Sequence, residues 1–473
     1  MREALKKLSG ESLIYGFGQV SGRAVQLLLV PVLTRALTRG AYGVSELVVA
    51  YSQTAILVLV LGMDGALARF FYHEPDREAR IRMVSSSLFF RLVTSVVIAL
   101  GLALLSPWLA QGLFGSVAYR KYLLIGVATL PLTLLWLFAN DVLRVTFQPW
   151  KFILLNVCQT VTAGGVALWL VLGRHLGVVG VLYGKLAADG LCAVLGLVLL
   201  RHSIRPRFNG EALKKMLAYG LPMVPGAFAF GLITSIDRFA LQRIRSLEEV
   251  AVYAVAMKFF ALVTIAISAF QLAYGPFAFA RAAAPDSPAL FARVFSLYAG
   301  VAALGALVVT CFVPEALHLL VPSAYWGAAL PAAFLIFAAV IQGAYTISSI
   351  GVALALRTAW LSWTATAAAL IAIAGQFAFT PRFGAPGAAA ATFLGYATSA
   401  ILTYRLAQRV HPLPYHGHRI WLTMALAMGA GVAAQVLIAP GWPGAAIKIA
   451  VILVTMLGIA SLSGIRRPRA AAA

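Results

Sequence analysis

Apolar stretches long enough to cross a bilayer follow one another along nearly the whole chain, with only short polar breaks between them. A spanning helix needs about 20 mostly apolar residues. About fourteen windows qualify: about 12–37, 44–68, 83–106, 122–147, 152–173, 178–200, 213–241, 249–280, 289–313, 329–352, 358–379, 387–410, 418–438 and 445–464. The composition agrees. The 473 residues are 62% hydrophobic and 11% charged, whereas about a quarter of an ordinary soluble chain is charged. The prediction is an all-α polytopic membrane protein.

The breaks exclude several classes of function. None is long enough for a soluble catalytic domain; the larger ones, 281–288 and 314–326, are turn-rich. The net charge of +22 is not a nucleic-acid signal here. With both termini cytoplasmic, most lysines and arginines fall at cytoplasmic ends, among them Arg77, Arg80, Arg82, Arg201, Arg205, Arg207, Lys214, Lys215, Arg466, Arg467 and Arg469. That is the positive-inside bias of membrane insertion, with a secondary role in holding anionic membrane lipids. Met1 to Glu11 reads as a basic cytoplasmic lead-in, because the apolar run after it is too long for a signal peptide. Cys158, Cys192 and Cys311 sit in or at the end of apolar runs and read as free buried thiols, with no metal motif. His411, His416 and His418 share a loop with Pro412 and Pro414, at a spacing that does not match a closed zinc site.

The chain also repeats. Tyr15-Gly16-Phe17-Gly18-Gln19-Val20-Ser21-Gly22 returns as Tyr219-Gly220-Leu221-Pro222-Met223-Val224-Pro225-Gly226, and Gly177-Val178-Val179-Gly180 returns at nearly the same offset as Gly384-Ala385-Pro386-Gly387. Six spans precede the basic stretch 201–215 and six follow it. Because six is even, the second set enters the membrane in the same direction, so the repeats are parallel. The expected organisation is an N-terminal six-helix lobe (1–200), a basic cytoplasmic linker (201–215) and a C-terminal six-helix lobe (216–410). Two additional helices and a basic tail (411–473) follow. A substrate site between the halves is the common arrangement in duplicated bundles. Pro31, Pro131, Pro222, Pro225 and Pro276 lie within spans, and each removes a backbone hydrogen bond and kinks its helix. Pro31, Pro222 and Pro225 are the candidate hinges; the alternative is a fixed kink that serves packing.

Charges inside the spans carry the functional information, since each costs roughly 2.5–3.5 kcal/mol at mid-bilayer on insertion scales. They are Arg23, Asp64, Arg91, Asp141, Arg144, Lys185, Asp189, Asp237, Arg238 and Lys258. Asp141 and Arg144 are three apart and Lys185 and Asp189 four apart, the spacings of helical ion pairs. Asp237 and Arg238 are adjacent, so they point different ways. Arg23, Arg91 and Lys258 have no carboxylate nearby in sequence. Each either faces a cavity and meets an anionic ligand, or snorkels to an interface, or pairs with a distant Asp. Asp237 either binds Na⁺ or H⁺ as a coupling ion or pairs structurally.

Pro31-Val32-Leu33-Thr34-Arg35, Ala41-Tyr42-Gly43, Leu61-Gly62 and Arg69-Phe70-Phe71 run through the first two spans. Ser235-Ile236-Asp237-Arg238 and Val252-Tyr253-Ala254-Val255-Ala256-Met257-Lys258 follow in the seventh and eighth, and glycine-rich starts open the sixth and twelfth. In order and spacing this pattern resembles the polysaccharide-biosynthesis flippases of the multidrug/oligosaccharidyl-lipid/polysaccharide (MOP) exporter superfamily. The resemblance implies two six-helix lobes around a central cationic cavity that alternates between inward and outward access. It implies that a polyprenyl-diphosphate-linked oligosaccharide (an O-antigen, capsule or exopolysaccharide unit) crosses a bacterial inner membrane. Polysaccharide polymerase and glycosyltransferases are the implied partners, with no cofactor beyond a coupling Na⁺ or H⁺. Arg23, Arg91 and Lys258 become candidates for holding diphosphate or acidic sugar, and Arg238 and Lys185 complete the basic set. Asp237, Asp189, Asp64, Asp141 and Arg144 are candidates for ion coupling or charge pairing.

Other readings remain open. A lipid II flippase of the same superfamily also has fourteen spans. A cation-coupled drug exporter calls for a more acidic interior than these residues give. A membrane glycosyltransferase or polymerase calls for a sizeable external loop, and the first one, about 38–41, is very short. Alkaline phosphatase fused after Ala473 is expected to be inactive in cells and a fluorescent protein there to be bright; the reverse result refutes the cytoplasmic C-terminus.

Overall fold

The computed structural model describes residues 27–205, 208–281, 284–355 and 359–462. Every regular element among them is helical. In chain order they are α1 (Leu27–Ala36 as described), α2 (Arg39–Leu59), α3 (Met63–His73), α4 (Arg77–Leu104), α5 (Ser106–Phe114), α6 (Arg120–Val145), α7 (Pro149–Leu168), α8 (Gly177–Leu199) and α9 (Gly210–Gly220). Then come α10 (Val224–Ile244), α11 (Leu247–Arg281), α12 (Ser287–Leu320), α13 (Ala329–Leu354), α14 (Ala359–Phe383), α15 (Ala385–Val410), α16 (Gly417–Leu437) and α17 (Trp442–Leu462). Among the described residues 13 helices are long and apolar enough to cross a membrane, and α1 is a shorter apolar helix. The fold is therefore an all-helical, polytopic membrane fold. The segment Tyr15–Gly22, which opens the repeat, lies outside the described residues.

The chain divides into two compact units, Met1–Ala251 and Val252–Ala473. The boundary falls in the first turns of α11 rather than in a loop. The basic connection around 201–215 packs within the first unit. The backbone N–H groups of Arg205 and Asn209 donate to the hydroxyls of Ser85 and Ser86 on α4, at 2.9 and 2.7 Å. The Arg205 guanidinium meets Glu78 at 2.9 Å.

Two apolar windows turn out to be broken. The second, 44–68, is interrupted between α2 and α3, where Leu61 and Gly62 both take positive φ, 50° and 67°. A left-handed leucine is disfavoured because its Cβ crowds the next carbonyl. The turn lies close against another backbone. A Cβ on Gly62 would lie 2.5 Å from the Gly220 carbonyl oxygen, and one on Gly220 would lie 2.7 Å from that of Leu61. The seventh window, 213–241, splits into α9 and α10 around the short 3-10 turn Leu221–Met223. Pro222 lies inside that turn and Pro225 is the second residue of α10. A first turn tolerates proline, because its backbone N–H groups have no helical partner.

Helices pack where small residues let backbones approach, as expected without a hydrophobic drive between helices in lipid. In the first unit Gly196 of α8 sits against Ala139 of α6. Phe138, Val142, Leu143, Phe152 and Leu155 form the surrounding core. In the second unit Gly387 of α15 leaves space for the Phe379 carbonyl of α14, which a Cβ would approach to 2.4 Å. Large apolar residues such as Val97, Leu100 and Val454 point outward, as lipid-facing residues do.

One proline's missing hydrogen bond is supplied from another helix. Pro314 lies within α12 and has no N–H for the carbonyl of Thr310. Gln435 of α16 supplies the donor, its Nε2–H reaching the Thr310 oxygen at 2.7 Å. Gly431, one turn earlier on α16, allows the approach: a Cβ there would lie 3.0 Å from Thr310 Cγ2.

Gly220→Leu is expected to destabilise the purified protein by about 1–3 kcal/mol, the usual cost of overpacking, seen as a lower thermal midpoint. Gly65→Ala, where a Cβ meets nothing within 4 Å, is the matched control and should leave the midpoint unchanged.

Candidate functional site

Four helices of the first unit bring buried and partly buried polar groups together around two aspartates, with Arg144 at the exposed edge. Arg91 comes from α4, Thr133, Asn140, Asp141 and Arg144 from α6, Asn156 and Gln159 from α7, and Lys185 and Asp189 from α8. Helical periodicity puts Thr133 and Asn140 on one face of α6, two turns apart.

Asp141 is the first centre. Its Oδ2 accepts Arg91 Nη1–H at 2.9 Å, and its Oδ1 accepts from Arg144 Nη2. Arg91 is wholly buried, Asp141 is 9% exposed and Arg144 is half exposed. The Arg91 guanidinium also lies 5.6 Å from the Phe138 ring centroid, within cation–π range. Two guanidinium groups thus share one carboxylate, leaving an excess positive charge. Arg91 Nε and Nη2 are buried and have no hydrogen-bond acceptor among the described residues.

Asp189 is the second centre and is fully buried. Its Oδ2 accepts from the Thr133 hydroxyl at 2.5 Å and from Lys185 Nζ at 2.6 Å, and its Oδ1 accepts from Gln159 Nε2 at 3.0 Å. Between the centres, Asn156 Nδ2 donates to Asn140 Oδ1 at 2.6 Å. The result is a polar seam through an apolar core, with lysine and arginine already seated on carboxylates.

The spacing-based pairs Asp141–Arg144 and Lys185–Asp189 both form. Arg91, which has no carboxylate nearby in sequence, takes the distant-Asp alternative and pairs with Asp141 fifty positions on. Arg23 lies outside the described residues. Asp237 and Arg238 are buried on α10, with the Arg238 backbone N–H donating to Asp237 Oδ1 at 2.7 Å. Lys258 is half-buried on α11 and belongs to the second unit. Asp64 is exposed in the first turn of α3, where a helix N-terminus favours an acid. Pro31 lies in α1, half-buried.

The intramembrane inventory drawn from the sequence omitted one pair. Lys448 of α17 is fully buried and its Nζ lies 2.6 Å from Glu315 Oε1 of α12. Glu315 falls just past the end of its apolar window and so escaped notice. Lys448 alone was the available signal, since a lysine that near the start of a span needs a counter-charge or a route to the interface.

With this geometry in hand, the comparisons identify the family. The model of the polysaccharide biosynthesis protein family matches residues 32–331. The chain belongs to that family. Protein 1 of the Lsg locus of Haemophilus influenzae is similar, 23% identical over 284 residues. That match spans 57% of this chain and 66% of the relative, just under two thirds of its length. Among solved structures, the lipid II flippase MurJ in an inward closed conformation superposes with a TM-score of 0.73 at 13% identity, covering 95% of this chain and 98% of that one. An inward-facing multidrug resistance MATE transporter of the MOP superfamily superposes with a TM-score of 0.67 at 14% identity, covering 82% and 94%. At such identities the likeness shows the fold. Family and fold together make the chain a multi-pass membrane protein of the polysaccharide biosynthesis family, with a helical fold like that of MurJ and the MATE transporters.

Asp141→Ala removes the shared counter-charge and is expected to cost about 3–5 kcal/mol, as breaking one side of a buried pair does. The double variant R91M/D141L should recover most of the loss in a thermal-stability assay. No difference between wild type and Asp141→Ala would show that Arg91 does not depend on Asp141.

Proposed function

We propose that this transporter flips a polyprenyl-diphosphate-linked oligosaccharide from the cytoplasmic to the outer leaflet by alternating access. One observation carries the reading: a member of the polysaccharide biosynthesis family superposes over 95% of its length on a lipid II flippase, against 82% on a drug exporter of the same superfamily. The family description supplies polysaccharide biosynthesis and that structure's name a flipped lipid, and a lipid-linked sugar unit joins the two.

The charge pattern supports an anionic cargo. Arg23, Arg91, Lys258, Arg238 and Lys185 are the basic groups assigned to it. Arginine suits a diphosphate because its planar fork gives two parallel hydrogen bonds. Arg91 has unspent donors of that kind at Nε and Nη2. In this conformation it is buried against Asp141, so on this reading it reaches cargo when the helices of the first unit part. Asp237 is the candidate for coupling to Na⁺ or H⁺, and Pro31, Pro222 and Pro225 are the candidate bends. Polymerase and glycosyltransferases are the partners this role requires.

A host lacking its own flippase and carrying the wild-type gene should display surface polysaccharide. Arg23→Ala should abolish it while the protein still accumulates in the membrane and lipid-linked units build up. Normal polysaccharide in that variant removes Arg23 from cargo binding. Rescue of a strain depleted of lipid II flippase, with no effect on surface polysaccharide, would instead assign lipid II as cargo. In liposomes, flipping indifferent to both Na⁺ and pH gradients removes Asp237 from coupling.

A further inference from the structure

The turn between α6 and α7 gathers basic and aromatic side chains at one end of the first unit, and the cargo reading leaves them unused. Arg144 lies in the last turn of α6, and Pro149 opens α7. The turn is tight: the Phe147 N–H donates to the Arg144 carbonyl at 3.1 Å, and the Gln148 N–H to that of Leu143 at 2.9 Å. Phe147 takes φ 53°, a left-handed conformation disfavoured for a residue with a Cβ. Its ring is 53% exposed and lies 6.0 Å from the ring of Tyr72, equally exposed at the end of α3. Trp150, in the first turn of α7, is 73% exposed.

The charge beside this aromatic rim is not balanced by the protein. One carboxylate, Asp141, serves the guanidinium groups of both Arg91 and Arg144. Arg91 is wholly buried, whereas Arg144 is half exposed and hydrogen-bonds only Asp141 among the described residues. The Arg144 charge reaches the Tyr72 phenol, which places it beside the rings. Lys151, also in the first turn of α7, is exposed and meets no carboxylate among the described residues. Farther along α7, Leu154, Val157 and Val161 continue the outward face that Trp150 begins, at helical spacing. Phe152 and Leu155 of the same helix turn into the core. Base, aromatic rim and aliphatic stripe thus follow one another from the end of the helix inward.

We propose that this surface seats an anionic phospholipid, with its phosphate on Arg144 and Lys151, its glycerol against Tyr72, Phe147 and Trp150, and an acyl chain along Leu154, Val157 and Val161. Aromatic rings settle at the head-group level of a bilayer, and basic groups there attract lipid phosphate. A phosphate diester carries one negative charge, which matches the excess that two arginines leave on Asp141. A zwitterionic head group brings its own cation to the same place and gives no such match. The rings and the stripe select a phospholipid over free phosphate, which has no apolar surface to bury. A seated phosphate takes the open side of Arg144 and leaves Asp141 to Arg91, so the lipid strengthens the tie between α4 and α6. On the topology expected from the charge bias, the lipid belongs to the cytoplasmic leaflet. Attraction of basic ends to anionic lipid is general; the inference here is one defined seat, coupled to a buried ion pair. It is independent of which cargo the protein carries.

The full-length protein would be placed in phosphatidylcholine nanodiscs with a trace of photoactivatable lipid bearing either a phosphatidylglycerol or a phosphatidylcholine head group, and the adducts mapped to peptides. Within 144–161 the parent should carry at least about fivefold more phosphatidylglycerol adduct, the preference that one basic residue at a membrane surface gives. That comparison stands even if a variant misfolds. R144Q/K151Q should bring the two lipids to equality. R77Q/K214Q removes the same charge from exposed positions at the same end of the unit and should keep the preference. Equal labelling of the parent by both lipids overturns the proposal. So does a preference that survives in R144Q/K151Q, or one lost equally in R77Q/K214Q, which is the mark of diffuse attraction. Competition by a polyprenyl phosphate but not by excess unlabelled phosphatidylglycerol also overturns it, and assigns the seat to cargo.

Discussion

Inside a bilayer no water is available to complete a hydrogen bond or screen a charge, so whatever is polar must be met by the protein itself. Each notable interaction in this structure answers to that constraint. Asp141 sits between two arginines, and Asp189 gathers a hydroxyl, an amide and an ammonium. Lys448 reaches Glu315 across two helices. The same demand acts on the backbone, where Gln435 takes the place of the N–H that Pro314 lacks. Apolar packing in lipid is permissive by comparison, because lipid tails are as apolar as the side chains they contact. Specific neighbours are therefore chosen by small residues and by polar ties.

The ties make the first unit stiff in a particular way. α4, α6, α7 and α8 are joined through side chains whose separation would leave a charge or an amide short of a partner. The basic connection is laced to Ser85, Ser86 and Glu78 rather than left slack. Parting these helices therefore has to break several ties together. On the proposed function, Arg91 is held in reserve on Asp141 until those ties open.

What could be read in advance follows the range of the interaction. Asp141–Arg144 and Lys185–Asp189 were legible because three and four positions make neighbours on any α-helix. The helical spans and the family were legible from long apolar windows and from motifs in a recognisable order. Arg91–Asp141 and Lys448–Glu315 were not, because they depend on which helices pack together, and nothing local to Arg91 or Lys448 states that. The donors on Asp189 from Thr133 and Gln159 were hidden for the same reason. The break at Leu61–Gly62 was hidden differently. The apolar window runs on past it to Leu67, and the backbone packed against Gly62, that of Gly220, is far away in sequence.

The carbonyl that Pro314 leaves open bears on the order in which these helices can pack. α12 leaves the ribosome about a hundred residues before α16, and translation at about 5–20 residues per second makes that an interval of several seconds. Throughout it, the Thr310 carbonyl has no helical donor, and the carboxyl of Glu315 has no lysine. Both wait for the last two helices, whose arrival closes a hydrogen bond and an ion pair in one junction. A ribosome stalled before Gln435 would leave behind a chain that is inserted but unfinished, marked to quality control by one bare carbonyl and one unpaired acid.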